Sequence, residues 1–207
     1  MKRALIFGGG VYGGEFPAIS PGDFIVAADK GCEILKSYGI EPHITVGDFD
    51  SSSFIPEKNT LVLPVEKDVT DSHAAVNIAL QNGCDEIHIY GGMGGRPDHT
   101  FANYSLVISL AQRGVRALLF GEGYAVTGVS NGKISLSGKK GSTVSVFSWT
   151  EVSRGVTFSG LKYPLENAEL KNTFALGVSN SLTDESAEIS VADGTLLIMQ
   201  ENAIDKR

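Results

Sequence analysis

The stretch Ile44-Thr45-Val46-Gly47-Asp48-Phe49-Asp50-Ser51 joins a short apolar run to two aspartates that are separated by one residue. An apolar run of this length, followed at once by a polar segment, is typical of a buried strand that ends in a loop. Residues two apart in an extended segment point to the same side, so Asp48 and Asp50 would face one way. Two like charges this close repel each other strongly unless a cation lies between them. The stretch therefore predicts a strand end that holds a cation.

The same arrangement of an apolar run and an acidic residue recurs on both sides of this stretch. Asp29 ends one apolar run, and Asp68 and Asp71 follow another at the start of a helical pattern. Because an open parallel sheet binds ligands at the carboxyl edge of its strands, these carboxylates are expected to collect at one edge. A single aspartate after a strand is often a helix cap, and Asp68 or Thr70 is a candidate cap. Five carboxylates at one edge are better explained by a Mg²⁺ site, because Mg²⁺ prefers oxygen ligands such as carboxylates and phosphate oxygens.

The wider pattern of residues 1–122 indicates strands that alternate with helices, and hence a mainly parallel α/β sheet. Gly83 and Gly114 stand where a glycine ends a helix. Two sets of residues have helical spacing: Ala75, Ile78 and Ala79, and Phe101, Tyr104 and Ile108. The runs predicted as strands are residues 4–7, 24–28, 44–46, 61–63, 87–90 and 117–120.

After residue 122 the pattern changes to alternating apolar residues, as in Ser142-Thr143-Val144-Ser145-Val146-Phe147. A period of two is typical of half-buried strands. Asn131-Gly132 and Asp193-Gly194 are strong hairpin turn signals. We therefore predict two domains, with residues 1–122 forming the α/β domain and residues 123–207 forming an antiparallel β-sandwich.

A glycine-rich stretch, Gly91-Gly92-Met93-Gly94-Gly95-Arg96-Pro97-Asp98-His99, lies between a predicted strand and a predicted helix. Glycines let the backbone approach a ligand closely, and helix N-terminal amides together with Arg96 can bind phosphate oxygens. The alternative is a flexible loop. A histidine in a first helical turn, such as His99, is more often solvated or packed than catalytic.

A second glycine-rich stretch, Gly8-Gly9-Gly10-Val11-Tyr12-Gly13, fits the dinucleotide-binding pattern G-x-G-x-x-G, with Asp29 near the position of a ribose-binding acid. That pattern requires a helix to open at the glycines, and the following residues break helices. A nicotinamide-dependent oxidoreductase also gives no reason for the acidic residues, so it is the weaker alternative. The helix-breaking residues are Gly13, Gly14, Pro17, Pro21 and Gly22.

The composition of the chain limits its partners. The formal net charge is -7 and no basic stripe interleaved with aromatic residues is present, so nucleic acid is not expected as a partner. Cys32 and Cys84 are not spaced as a metal or redox pair and are predicted to be small core residues. The N-terminal apolar run is too short for a secretory signal, and no stretch is long enough to span a membrane. A cytoplasmic protein is expected.

The order of these motifs resembles that of the thiamine pyrophosphokinase family. The matching stretches of the first part are Ala28-Asp29-Lys30-Gly31, Val46-Gly47-Asp48-Phe49-Asp50-Ser51, Lys67-Asp68-Val69-Thr70-Asp71 and Gly91-Gly92-Met93-Gly94-Gly95-Arg96-Pro97-Asp98. Two stretches of the second part resemble the thiamine-side motifs of the family: Gly160-Leu161-Lys162-Tyr163-Pro164-Leu165 and Gly177-Val178-Ser179-Asn180. The resemblance covers essentially the whole chain, and the motifs are specific as a set.

The resemblance implies an enzyme that transfers the pyrophosphoryl group of ATP to thiamine, with Mg²⁺. It also implies a homodimer in which thiamine lies between the α/β domain of one subunit and the β domain of the other. The implied magnesium ligands are Asp48, Asp50 and Asp71, and Asp71 is the expected general base. The residues expected near the nucleotide are Asp29, Lys30, Asp68, Gly92, Gly94, Arg96, Asp98 and His99. Those expected near thiamine are Lys162, Tyr163, Ser179 and Asn180.

Two departures from the family pattern leave alternatives open. Lys30 replaces a glycine and either reaches a phosphate or faces solvent. Animal and fungal members carry a tryptophan near the C-terminus that packs on thiamine, whereas Thr195-Leu196-Leu197-Ile198-Met199 has none and the only tryptophan is Trp149. Tyr163 either forms a wall of the thiamine pocket or packs in the sandwich core. For the whole chain, the alternative is a module that binds thiamine compounds without turnover.

Overall fold

The computed structural model describes residues 2–13, 16–49, 58–64, 66, 68–201 and 203. Within this part of the chain the helices are α1 (Gly31–Ser37), α2 (Asp71–Gln81) and α3 (Pro97–Gln112). The first six strands are β1 (Arg3–Phe7), β2 (Phe24–Ala28), β3 (Ile44–Gly47), β4 (Thr60–Val62), β5 (Glu86–Tyr90) and β6 (Arg116–Phe120). The others are β7 (Tyr124–Ser137), β8 (Thr143–Ser148), β9 (Val152–Ser159), β10 (Leu165–Lys171), β11 (Gly177–Ser181) and β12 (Ser186–Glu201).

The chain divides into two units. The first comprises Met1–Asn103 and Ala117–Glu122, and the second comprises Tyr104–Arg116 and Gly123–Arg207. The fold is mixed α/β, as predicted, whereas the arrangement of two domains with separate functions stays a prediction. No helix in the described part of the chain is both long enough and apolar enough to cross a membrane.

The first unit contains the predicted parallel sheet. Strand β1 pairs in parallel with β2 and β5, β2 pairs with β3, and β3 pairs with β4. All six predicted apolar runs are strands, with ends that shift by at most one residue. Strand β1 is buried along its whole length, as expected for a strand covered on both faces. The strands therefore present their carboxyl ends along one edge.

The predicted glycines, Gly83 and Gly114, follow the ends of helices α2 and α3 by two residues. Gly83 and Gly114 have φ angles of 77° and 72°, which few other residues adopt. The amide of Cys84 donates to the carbonyl of Ala79, and the amide of Val115 donates to that of Leu110. These bonds satisfy carbonyl groups that a helix end leaves without partners. Cys84, like Cys32, is buried as predicted, and burial raises the pKa of both thiols.

The second unit has antiparallel pairing, but both predicted hairpin turns are wrong. Strands β7 and β12 run straight through Asn131-Gly132 and Asp193-Gly194 and pair with each other along most of their length. Between two regular registers, Asn131 on β7 opposes three residues, 192–194, on β12. The side-chain oxygen of Asn131 accepts a hydrogen bond of 2.9 Å from the amide of Gly194. The two turn signals thus form one shared bulge, because bulges also need residues that tolerate positive φ.

Two further details differ from the sequence-based expectations. Phe101, assigned to the apolar face of its helix, is 61% exposed, whereas Ile108 of the same pattern is buried. Strands β10 and β11 lie in segments where no strand is predicted. Their alternation is weak, since β10 buries only Leu170 fully.

Candidate active site

A cleft of about 430 Å³ lies in the first unit at the carboxyl ends of β1, β2 and β5. Six predicted site residues line it: Asp29, Lys30, Asp71, Gly92, Arg96 and His99. Of the predicted magnesium and nucleotide residues that the structure describes, four others do not: Asp48, Asp68, Gly94 and Asp98. The remaining wall consists of Gly8–Gly10, Ala28, Thr70, Ser72, Gly91, Met93, Gly95, Thr100 and Asn103. The cleft thus brings Asp29 and Asp71 together with the glycine-rich stretches at the carboxyl edge, whereas the collection of all five carboxylates there stays a prediction.

The two glycine-rich loops lie against each other at this edge. The amide of Gly8 donates to the carbonyl of Tyr90, and the amide of Gly10 donates to that of Gly91, both at 2.8 Å. A Cβ atom on Gly10 would overlap the Gly91 carbonyl oxygen. The first glycine run therefore serves the close approach of two backbones. Within the described residues, no helix opens before Gly31, so the dinucleotide-binding interpretation is wrong.

Asp29 lies at the end of β2 in a strained backbone conformation, with φ at 49°. Its amide donates a hydrogen bond of 2.8 Å to the carbonyl of Val46. Gly47 makes room for Asp29, and Gly31 makes room for the end of β1. A Cβ on Gly47 would lie 3.0 Å from the Asp29 Cα, and a Cβ on Gly31 would overlap the carbonyl oxygen of Phe7. The absence of a side chain at Gly47 thus leaves space for Asp29, which lines the cleft.

The predicted magnesium ligands are described only in part. Asp48 is half-buried directly after β3, and the buried Phe49 beside it has φ at 57°. Asp71 is half-buried as the first residue of α2. Asp50 lies outside the described residues. In the part of the chain that is described, no three His, Cys, Asp or Glu side chains group together as a metal site. The three-aspartate set therefore stays a prediction.

Thr70 caps helix α2, which fixes the position of Asp71. Its hydroxyl oxygen accepts a hydrogen bond of 3.2 Å from the amide of His73. Of the two candidate caps, Thr70 is thus confirmed, and Asp68 is exposed ahead of the helix. A carboxylate in the first turn is stabilised as an anion by the helix dipole. The Asp71 carboxylate is therefore suited to bind a cation.

Arg96 and Asp98 form an exposed ion pair at the mouth of the cleft. The Arg96 Nη2 atom lies 2.6 Å from Asp98 Oδ2, and Arg96 Nε lies 3.2 Å from Asp98 Oδ1. Hydrogen bonding by Arg96 holds the pKa of Asp98 below its ordinary value, and the same bond raises the pKa of Arg96. Asp98 therefore orients the guanidinium group, while Arg96 is the member of the pair that lines the cleft.

Asn103 is a cleft residue that the sequence analysis does not identify. It is 5% exposed, and its Nδ2 atom donates a hydrogen bond of 2.7 Å to the carbonyl of Gly92. This bond ties the glycine-rich loop to α3. The sequence signal that could identify Asn103 is helical spacing. His99 and Asn103 are four residues apart and therefore lie on one face of the helix. Polar residues at that spacing after a glycine-rich motif indicate a helix face turned toward a ligand.

The four predicted thiamine-side residues come together in the second unit. The Oδ1 atom of Asn180 accepts hydrogen bonds of 2.9 Å from the amides of Tyr163 and Ser181. Its Nδ2 atom donates at 2.7 Å to the carbonyl of Tyr163. The Asn180 side chain, 4% exposed, thus clamps the segment that carries Lys162 and Tyr163. Ser179, exposed beside it, has φ at 58°.

Tyr163 is 59% exposed, so its placement in the sandwich core is wrong. The ammonium nitrogen of Lys162 lies 5.3 Å from the centre of the Tyr163 ring, within the range of a cation–π contact. The residue of this segment that is buried is Leu161. The segment therefore exposes an aromatic ring and a cationic side chain at the surface.

Comparison with known proteins finds two family models that match the chain. The model of the thiamin pyrophosphokinase catalytic domain matches residues 18–119, and the model of its vitamin B1 binding domain matches residues 132–196. A relative from Bacillus subtilis, named thiamine pyrophosphokinase, is 30% identical over 183 residues, or 84% of this chain and 86% of the relative.

Solved structures agree with these matches. The crystal structure of thiamine pyrophosphokinase from Bacillus subtilis has a TM-score of 0.85 at 26% identity, covering 97% of this chain and 99% of that chain. The structure of the Geobacillus thermodenitrificans protein of the same name has a TM-score of 0.83 at 27% identity, covering 97% of each chain. Sequence and fold therefore match along nearly the whole length.

Proposed function

The chain belongs to the thiamine pyrophosphokinase family, and we propose that its cleft transfers the pyrophosphoryl group of ATP to the hydroxyl group of thiamine. The products are thiamine diphosphate and AMP. The observation that carries this proposal is that Asp29 and Asp71 line the same cleft as two glycine-rich loops. Carboxylates beside backbone that a ligand can approach closely suit a metal-bound polyphosphate.

The phosphates are held by cationic and backbone groups of the first unit. Lys30 lines the cleft at the N-terminal end of α1, and Arg96 lines it at the end of the second glycine-rich loop. Both side chains are cations, and they offset the charge of the polyphosphate in a protein whose net charge is -7. As in other phosphoryl transfers, the protein then acts mainly by positioning and neutralising charge.

Mg²⁺ is assigned to Asp48, Asp50 and Asp71. The donor set fits, because all three offer carboxylate oxygens and Asp71 stands in the cleft wall. The ion would neutralise charge on the phosphate oxygens. Asp71 has a second role in this proposal, which is to accept the proton of the thiamine hydroxyl group at one of its carboxylate oxygens.

We assign residues 1–122 to ATP and Mg²⁺ binding, and residues 123–207 to thiamine binding and dimerisation. Large apolar side chains exposed in one part of the second unit support the assignment of a homodimer, because such surfaces often mark interfaces. They are Tyr163, Phe174, Leu176 and Val178, at 40% to 67% exposure. In the homodimer, the thiamine-side residues of one subunit complete the cleft of the other.

The test is an assay of AMP and thiamine diphosphate formed from thiamine and MgATP. We expect equal amounts of both products from the wild type and a large loss with Asp48→Asn. Asp184→Asn, which removes an exposed carboxylate from the second unit, is the matched control and should keep full activity. Reversible binding of thiamine in calorimetry without AMP formation would instead identify a non-catalytic binding module. Near-normal rates for Asp48→Asn at saturating magnesium would remove Asp48 from the metal site.

The shared site is tested by mixing two impaired variants and assaying them at a thiamine concentration below the raised KM of Asn180→Ala. Asp71→Asn damages the ATP side and Asn180→Ala damages the thiamine side. If each active site uses both subunits, a mixed dimer contains one intact site, so unfolding and refolding the two variants together should restore activity. No recovery in a preparation that contains mixed dimers would show that each subunit carries a complete site.

A further inference from the structure

A second cavity, of about 210 Å³, adjoins the cleft within the first unit. Gly91 lines both spaces, so the cavity opens beside the second glycine-rich loop. Its side-chain walls are mostly aromatic, and they are Tyr12, Phe16, Tyr38, Tyr90 and Phe120. None of these residues has a role in the mechanism above.

The rings of this region form a column of nearly parallel planes. Tyr38 stacks on Phe16 at 4.0 Å between ring centres, and Phe16 stacks on Phe7 at 5.3 Å. Phe7 stacks on Tyr90 at 5.4 Å, and Tyr90 stacks on Phe120 at 4.7 Å. Neighbouring planes differ by 5° to 24°. A flat ring system that enters the cavity would therefore meet aromatic side chains whose planes are already nearly parallel.

Polar contacts fix two tyrosines of the cavity, Tyr12 and Tyr90. The hydroxyl group of Tyr12 donates a hydrogen bond of 2.7 Å to the carbonyl of Gly8. The Tyr90 hydroxyl lies 3.5 Å from Nδ1 of the buried His88, whose Nε2 lies 3.1 Å from Glu86 Oε1. These contacts hold the rings in place before any ligand arrives, which lowers the cost of ordering them on binding.

We infer that this aromatic cavity binds the adenine base of ATP. The inference rests on the proposed function, because it places the base next to a cleft that holds the phosphates. Adenine is flat, uncharged and aromatic, and base stacking on aromatic side chains is a common mode of recognition. Thiamine is the other flat ligand, but the vitamin B1 binding model matches residues 132–196, whereas the cavity is lined by residues 11–121.

Tyr38 is the wall residue to remove, since it is 58% exposed and its loss should leave the fold intact. The probes are MgATP and magnesium tripolyphosphate, which has three phosphates but no base, measured by calorimetry. We expect Tyr38→Ala to weaken MgATP binding on the order of tenfold and to leave tripolyphosphate binding unchanged. Tyr38→Phe, which keeps the ring, should bind MgATP like the wild type. Phe101→Ala, which removes an aromatic ring of 61% exposure that lines neither cavity, is the control.

Three outcomes would overturn the inference. Equal losses for both probes would mean that Tyr38 acts on the phosphates or on the fold. Unchanged MgATP binding by Tyr38→Ala, in a protein that releases AMP from ATP and thiamine, would remove the base from this cavity and leave the proposed function standing. A protein that binds thiamine but neither probe would refute both proposals.

Discussion

The two candidate site regions are held together in different ways, the first mainly by close backbone contacts and the second also by a buried side chain. In the first unit, the cleft depends on backbones that approach closely at Gly10 and Gly31. In the second unit, the buried side chain of Asn180 adds to backbone hydrogen bonds that already join two segments, from Lys162 to Ser181 and from Thr183 to Gly160. Parallel strands already end at a common edge, so their loops need only small residues in order to meet. In the second unit, a buried side chain reinforces the backbone pairing of antiparallel segments.

The largest effect is expected for a carboxylate of the first region. Asp71→Asn should lower kcat by about 10²- to 10⁴-fold, because the amide neither accepts the hydroxyl proton nor binds a cation strongly. The measurement is the rate of AMP release with both substrates saturating. The melting temperature should stay close to that of the wild type, since Asp71 is only half-buried. Activity close to the wild-type value would remove Asp71 from the chemistry.

Replacement of Gly31 tests whether the close approach of the α1 and β1 backbones holds the cleft together. Gly31→Ala should lower the free energy of unfolding by about 1–3 kcal/mol, because its methyl group overlaps the carbonyl oxygen of Phe7 in β1. Gly22→Ala is the matched control, since no atom lies within 4 Å of its added Cβ. Urea unfolding gives both values. Identical midpoints for the two variants would show that β1 and α1 have room to separate.

The Asn180 clamp provides the corresponding test in the second region. Asn180→Ala should cost about 1–3 kcal/mol of stability, since buried backbone groups lose their partners. It should also raise KM for thiamine more than KM for MgATP, because the segment that carries Tyr163 loses its anchor. Asn172→Ala, at an exposed position of the same unit, serves as the control. Equal changes in both KM values would assign Asn180 a purely structural role.

The smallest effect is expected for the exposed Arg96–Asp98 pair. Asp98→Asn should leave the melting temperature unchanged, because exposed ion pairs contribute little to stability. It should raise KM for MgATP modestly, since Arg96 loses its orientation. The pKa of Asp98 is lowered by Arg96, so the pair is present at neutral pH and is lost as pH falls through that pKa. The KM values of variant and wild type should therefore converge at acid pH, and a constant difference would contradict this explanation.

The difference between the two units also accounts for which structural features can be predicted from the sequence. The strands of the first unit follow from continuous apolar runs, and α2 and α3 end where Gly83 and Gly114 indicate. These signals are local, so short stretches of sequence contain them. Asn103 is not identified because its bond to Gly92 spans 11 residues and no short pattern encodes it.

In the second unit the local signals are less informative. Asn131-Gly132 and Asp193-Gly194 have the residues of a tight turn, yet they form a bulge because their strands pair over long sequence separations. Asn180 is named as a thiamine-side residue by family resemblance, but its three hydrogen bonds to backbone atoms are visible only in the fold. The order of the motifs thus indicates which residues lie together, whereas the contacts between them can be identified only in the structure.

The paired glycine-rich loops also bear on how this site tolerates change. Because Gly8 and Gly10 hold the second loop through main-chain groups, no side chain is needed for the pairing. Neighbouring residues can therefore vary without opening the cleft, whereas an insertion in either loop would shift both. A protein engineer who alters specificity here should keep both loop lengths and change only the side chains between the glycines.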